Sequence, residues 1–208
     1  YYSKIGKHLP DFSFNTISSV LFPVYYPEAS SAIEISMKGN VMKESDPNFW
    51  EIEDNNLQAA FAYEVKQRIQ YSETKHISLF PFADMPLLVR LGTLFNDIRE
   101  LKVYQPHRDT KKWEWQESGD ENIEFRIIEP AEKSKQPVLV FALSATAITE
   151  RIRTLYSSQD VSIWTVTCTN PNNDFLKTEA KLNEFASCMS EVLDKIKASS
   201  AYNEILVH

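Results

Sequence analysis

The sequence predicts an α/β fold, with central strands and helices outside them. Residues 138–143 (VLVFAL) are continuously apolar, which is typical of a strand buried on both faces. Residues 182–196 carry apolar side chains at helical spacing and form the strongest helix pattern in the chain. A helix pattern at 57–71 leads into an apolar strand at 77–80, and the long helix likewise leads into a short apolar strand at 204–208. This repeated order of helix and strand indicates two structurally related halves.

The beginning of the chain is less regular. Residues 1–31 are rich in Tyr, Pro and Ser and keep no hydrophobic period, so we expect a connector without a regular element. Alternating apolar residues predict a strand at 32–37, and the polar run after it predicts a loop at 38–54. A proline-bracketed loop at 81–86 then precedes an amphipathic helix. The apolar positions of that helix are Leu87, Leu91, Leu94 and Phe95.

Three more strands are predicted from alternating apolar residues, at 101–103, 123–127 and 161–166. The run at 129–137 (EPAEKSKQP) is polar, charged and bracketed by prolines, so it predicts the internal boundary. The two halves would then cover about residues 32–130 and 137–208.

The second half has the pattern of a nucleotide-binding unit. Ser144, Ala145 and Thr146 form a small-residue turn after the apolar strand, and Ser144 is placed to cap a helix that carries Ile148, Ile152 and Leu155. Backbone N–H groups at such a helix start can hold phosphate without much basic charge. Thr169 and Asn170 follow the next strand and belong to the same kind of strand-end loop.

Composition restricts the function. The 22 Lys and Arg against 29 Asp and Glu give a net charge of −7, which argues against a surface that coats duplex DNA. No stretch approaches a membrane span and no signal pattern is present, so we expect a cytoplasmic protein without membrane contact. HExxH, GxSxG, CxxC and glycine-rich phosphate motifs are missing, and we expect no catalytic site, metal or cofactor in this chain. Cys168 and Cys188 are expected as buried thiols.

A polar-aromatic motif follows the strand at 101–103. It brings together three aromatic rings, an amide, an imidazole and a guanidinium: Tyr104, Gln105, His107, Arg108, Trp113 and Trp115. Aromatic faces beside a fork of N–H donors suit a flat base that carries phosphate. We expect one of the two tryptophan rings in the core and the other at the ligand. For His107, ligand contact and a structural role are both open.

These residues resemble a known family. The FPF–P–LLxxLG segment, followed by YQxHR and WxW, resembles the SAVED domain, the sensor module of bacterial CBASS anti-phage effectors. The resemblance is sharpest over 76–115 and looser over 137–208. It implies two fused CARF-like, that is Rossmann-like, halves in a pseudo-two-fold arrangement with one shared site. It also implies that a second copy of the Phe-Pro loop and its helix would follow His208.

The resemblance and the strand-end argument together select the candidate ligand-binding residues. They are Phe82, Ala83, Met85, Tyr104, Gln105, His107, Arg108, Trp113, Ser144, Ala145, Thr146, Thr169 and Asn170. By resemblance, residues 32–208 are the sensor, and residues 1–31 connect it to an upstream effector.

The function implied by the resemblance is sensing of a cyclic di- or trinucleotide messenger. By the same resemblance, binding would activate a fused effector, an HNH or restriction-like DNA endonuclease, through ligand-driven homo-oligomerisation. Two alternatives stay open. One is a CARF-like enzyme that cleaves its own cyclic nucleotide, with His107 as the attractive catalytic group; the other is a protein-interaction module without a small ligand.

Overall fold

A computed structural model describes residues 10–36, 42–72, 76–95, 100–144, 149–156 and 160–207. Over these residues the chain forms two compact units, one that ends at Glu114 and one that starts at Trp115. Each unit has a β-sheet and helices, so the predicted α/β class is confirmed.

The first described segment contains a helix that the sequence pattern did not predict. α1 (Phe14–Leu21) begins after Ser13, whose hydroxyl accepts a hydrogen bond from the Thr16 amide at 3.3 Å. The Asp11 carboxylate accepts hydrogen bonds from the Thr16 hydroxyl at 2.6 Å and the Ser13 amide at 2.8 Å, and these bonds lower the pKa of Asp11. The expectation of no regular element in 1–31 is therefore wrong here, because polar capping and not a long hydrophobic period marks this helix.

The strand predicted at 32–37 is also wrong over its described part. Residues 32–35 belong to no regular element, and Ser36 makes only an isolated bridge. Ile35 is buried in the core while Ile33 is exposed. Ile33 and Ile35 therefore do not share one buried face as an alternating strand would require, and Met37 lies outside the described residues.

A long helical run follows. It consists of α2 (Phe49–Ala60), a π-helical segment (Phe61–Lys66) and α3 (Gln67–Tyr71). The helix predicted at 57–71 is confirmed, but it begins earlier, within the predicted loop at 38–54. Phe49 and Glu53 are already buried one helical turn apart, so the buried face extends beyond the residues that the apolar pattern alone identified.

Two parallel strands complete the first unit. β1 (His76–Leu79) pairs with β2 (Glu100–Val103), which confirms both predicted strands. A parallel pair needs a crossover connection, and α4 (Met85–Phe95) lies in that connection. Leu87 and Leu91 of α4 are each 2% exposed and pack in the same core as α2 and α3, as the predicted helix pattern requires.

The second unit contains a four-stranded sheet in the order β3-β5-β4-β6. Its strands are β3 (Phe125–Ile128), β4 (Gln136–Ala142), β5 (Val161–Cys168) and β6 (Leu206–Val207). β4 lies between β5 and β6 and runs parallel to both, so its apolar run is buried as predicted. β3 pairs with β5 antiparallel. The polar run at 129–137 therefore connects two strands of one sheet, and the compact units divide after Glu114 instead.

Two helices accompany this sheet. α5 (Thr149–Leu155) buries Ile152 against β4. α6 (Glu179–Ser199), the strongest predicted helix, packs Val192 and Ile196 into a core that also holds Trp164. Its Thr178 cap accepts a hydrogen bond from the Lys181 amide at 3.1 Å. Both helix predictions are confirmed over their described residues.

Candidate functional site

The carboxyl ends of β1 and β2 meet at one edge of the first sheet. Leu79 is in register with Val103, and the Tyr104 amide continues the ladder by donating to the Leu79 carbonyl at 2.9 Å. The loops that follow the two strands therefore leave from the same edge. In open α/β sheets this is the edge where ligands bind.

A cluster of four rings underlies this edge: Phe12, Phe80, Tyr104 and Trp113. Phe80 stacks on Tyr104 at 4.7 Å between ring centroids, with an interplanar angle of 5°. The Trp113 ring packs edge-on against Phe80, with 5.4 Å between ring centroids. It also packs against Phe12 in a tilted arrangement, with 5.2 Å between ring centroids. Such contacts contribute about 0.5–1.5 kcal/mol each beyond area burial. This ring cluster fixes the ends of both strands to the segment that precedes α1.

Trp113 lies inside the ring cluster and not at its surface. Its ring is 2% exposed, and its Nε1–H donates to the Asp11 carbonyl at 3.0 Å. A base cannot stack on a ring buried in this way, so the described conformation gives Trp113 a supporting role beneath the strand-end loop. Trp115, the other ring of the motif, is half-buried and belongs to the second unit.

The residues before Trp113 form a tight loop, 107–112. The His107 amide donates to the Lys112 carbonyl at 2.9 Å, and the Lys111 amide donates back to the His107 carbonyl at 2.9 Å. Lys111 takes a φ of 56°, the left-handed conformation that this reversal requires. His107 is buried, whereas Arg108 is exposed and Gln105 half-buried. The loop therefore presents its guanidinium to solvent and hides its imidazole, which does not favour His107 as a general base.

The candidates in the loop after β1 have different surroundings. Ala83 is 5% exposed and packs into the helical core, so it supports the loop from inside. Phe82 is half-buried. Met85, the first residue of α4, is 69% exposed. Phe82 and Met85 are thus the members of this set with surface available to a ligand.

The second unit repeats the arrangement of parallel strand ends. Ala142 of β4 is in register with Thr167 of β5, and the Asn172 amide donates to the Leu143 carbonyl at 3.0 Å. Ser144, Thr169 and Asn170, the candidates that follow these strands, are exposed.

Thr169 has a structural role as well. Its amide donates to the Glu124 carbonyl at 3.0 Å, and its hydroxyl accepts from the Glu124 amide at 3.1 Å. These bonds fasten the end of β5 to the residue before β3. Ala145, Thr146 and Ile148 lie outside the described residues, and so does the predicted capping of their helix by Ser144.

A cavity of about 490 Å³ in the first unit was not predicted from the sequence. Residues of α1, the segment 27–35, α3, β1 and α4 line it. The His76 ring on its wall stacks on Tyr25 at 3.7 Å, and its Nε2 lies 3.0 Å from the Ser78 hydroxyl. Burial lowers the pKa of His76, opposed by the Glu100 carboxylate 3.8 Å from Nδ1.

Other functional features are few in the described part of the chain. No group of three or more His, Cys, Asp and Glu side chains there is arranged to hold a metal ion. None of the described helices is both long and apolar enough to cross a membrane. Cys168 is buried, as predicted, while Cys188 is only half-buried, and burial raises the pKa of both thiols.

Comparison with known families decides the assignment. The family model of SAVED, the SMODS-associated and fused to various effectors sensor domain, matches residues 57–207. The chain belongs to the SAVED family. No curated protein matches it. The SAVED match includes both sets of strand-end loops, whereas α1 and the rest of segment 10–36 precede it.

Proposed function

We propose that this SAVED domain binds a cyclic di- or trinucleotide at the strand-end loops of its first unit. The observation that carries the proposal is the exposed Arg108 on a hydrogen-bonded loop, beside the meeting carboxyl ends of β1 and β2. A guanidinium donates to phosphate oxygens in a bidentate manner. Gln105 offers an amide for a base edge, and Phe82 and Met85 offer apolar surface. Tyr104, His107, Trp113 and Ala83 support these groups from beneath.

The second unit has candidate ligand-binding residues of its own. Ser144, Thr169 and Asn170 offer small polar side chains at its strand ends, and Ala145 and Thr146 complete the predicted turn. Hydroxyls and amides of this kind bind sugar and phosphate oxygens without adding charge. The parallel strand pair in each unit supports the related proposal that the units are CARF-like halves of one sensor.

Arg108→Ala is expected to weaken messenger binding at least about tenfold, or about 1.4 kcal/mol, because one charge-assisted phosphate contact is lost. Calorimetric titration with a panel of cyclic di- and trinucleotides measures the change. Lys66→Ala is the matched control, since Lys66 is an exposed cation of the same unit far along the chain from the strand-end loops. Equal affinities for the two variants would remove Arg108 from the site. If the cyclic nucleotide is recovered intact after incubation with the protein, the chain senses the messenger and does not cleave it.

We also propose that binding activates a fused effector, a DNA endonuclease in anti-phage defence. The SAVED description, a sensor fused to various effectors, supports a fused effector as the output, and the nuclease class follows from the resemblance alone. A ligand shifts such a system only through different affinity for its two states, and ligand-driven homo-oligomerisation provides two such states.

Light scattering of the effector-fused protein is expected to give a larger mass when its cyclic nucleotide is added. The 208-residue chain alone is expected to bind without equivalent assembly. An active effector-fused protein of unchanged mass would exclude assembly as the switch.

A further inference from the structure

Segment 10–36 precedes the SAVED match, yet it is bound to the loop that carries Arg108. The contact is made by Trp113, which directly follows that loop. The Trp113 Nε1–H donates to the Asp11 carbonyl at 3.0 Å, and its ring lies 5.2 Å from the Phe12 ring. Two consecutive residues of the segment are therefore held by one side chain.

The same aspartate sets the start of α1. While its carbonyl accepts from Trp113, its carboxylate accepts from the Thr16 hydroxyl at 2.6 Å and the Ser13 amide at 2.8 Å. A displacement of the Asp11 carbonyl also moves the carboxylate, because both belong to one residue. Movement of Trp113 therefore reaches the first turn of α1 through two consecutive hydrogen bonds.

The loop 107–112, on the Arg108 side of Trp113, is also held rigidly. Two backbone hydrogen bonds at 2.9 Å close the loop 107–112 immediately before Trp113. The Trp113 ring is also held edge-on against Phe80 at the end of β1. A loop closed in this way moves as a body, so a shift of Arg108 is passed to Trp113 instead of being absorbed between them.

We propose that Trp113 is a positioning residue that couples occupancy of the Arg108 loop to α1 and segment 10–36. The inference rests on the proposed messenger site and adds the route by which binding leaves it. Trp113 touches no messenger in this scheme. It acts through the Asp11 carbonyl, and the messenger must favour one arrangement of that contact over the other.

Hydrogen exchange of the α1 amides, read by mass spectrometry on the whole chain, tests the coupling. The probes are cyclic diadenylate, cyclic diguanylate and cyclic triadenylate, used above the Kd measured for each variant. We expect a probe that binds to change the hydrogen-exchange rate of the α1 amides by about fivefold or more in the unaltered protein. In Trp113→Phe, which keeps a ring but removes the N–H donor, we expect that change to disappear at saturation.

Two further variants make the outcome specific. Thr16→Val removes the exposed bond from Thr16 to Asp11 without touching the loop. Because the Ser13 amide still donates to the same carboxylate, this variant should reduce the response of α1 without abolishing it, while leaving messenger affinity unchanged. Trp50→Phe, an aromatic replacement on α2, should retain the full response. If Trp113→Phe does not fold, Thr16→Val alone decides, and a full response in it overturns the coupling.

The experiment distinguishes a failure of the coupling from a failure of the proposed function. A messenger that binds the unaltered protein without changing α1 exchange, or that still changes it in Trp113→Phe, overturns the coupling and leaves the proposed function intact. If no probe binds the unaltered protein, the proposed function fails for these messengers and the coupling fails with it.

Discussion

Trp113→Ala is expected to destabilise the first unit by about 3–5 kcal/mol, the range measured for removal of large buried aromatic side chains. The ring is 2% exposed and packs against Phe80 and Phe12. Its removal leaves a cavity and also leaves the Asp11 carbonyl without its indole donor. Urea unfolding followed by a signal from the first unit measures the loss.

Tyr63→Ala is the control for this variant. Tyr63 is 68% exposed in the same unit, and such surface changes usually stay within about 0.5 kcal/mol. If both variants unfold at the same urea concentration, the ring cluster does not stabilise the unit. The comparison also controls for any effect on unfolding that the loss of one aromatic side chain has in general.

This expectation changes how the polar-aromatic motif is understood. Its residue types placed Trp113 and Arg108 together among the candidate ligand-binding residues. The structure separates them, because the indole lies inside the ring cluster while the guanidinium is exposed. Loss of binding in Trp113→Ala would therefore follow from loss of structure, and Arg108→Ala is the variant that tests the ligand site.

Hydrophobic pattern predicted the elements whose stability comes from burial of apolar side chains. β4 is continuously apolar because both of its faces are covered: Val138 and Val140 pack with α5, and Leu139 packs with α6. The apolar residues of α6 keep helical spacing over 182–196. The meeting of strand ends at the candidate site followed from the same patterns, since parallel strands bring successive loops to one edge.

The remaining features depend on contacts that no local pattern contains. α1 is short and starts from an aspartate-serine-threonine arrangement, so a periodicity argument passes over it. The bond between Asp11 and Trp113 joins residues at opposite ends of the first unit's sequence. The sequence placed β3 in the first half, whereas its antiparallel pairing with β5 assigns it to the second unit.

A buried hydrogen-bond network around Asp120 in the second unit, called the latch below, was likewise not predicted from the sequence. Asp120 is 4% exposed. Its carboxylate accepts hydrogen bonds from the Lys177 and Thr178 amides, each at 2.8 Å, and from the Thr178 hydroxyl at 3.0 Å. Lys181 adds a bond from Nζ to the Ile123 carbonyl at 2.8 Å. The latch joins the turn before β3 to the first turn of α6, where a carboxylate also suits the helix dipole.

Asp120→Ala is therefore expected to destabilise the second unit by about 3–5 kcal/mol, because three donors lose their acceptor and unsatisfied buried donors cost about 1–3 kcal/mol each. Asp120→Asn keeps one carbonyl acceptor and should cost less. Asp174→Ala, an exposed carboxylate in the same unit, controls for the change in charge and should leave the unfolding midpoint nearly unchanged. Thermal and urea unfolding of the three variants give the order. If Asp120→Ala is as stable as Asp174→Ala, the latch does not hold α6 to the turn, and the start of that helix must be fixed by Thr178 and apolar packing alone.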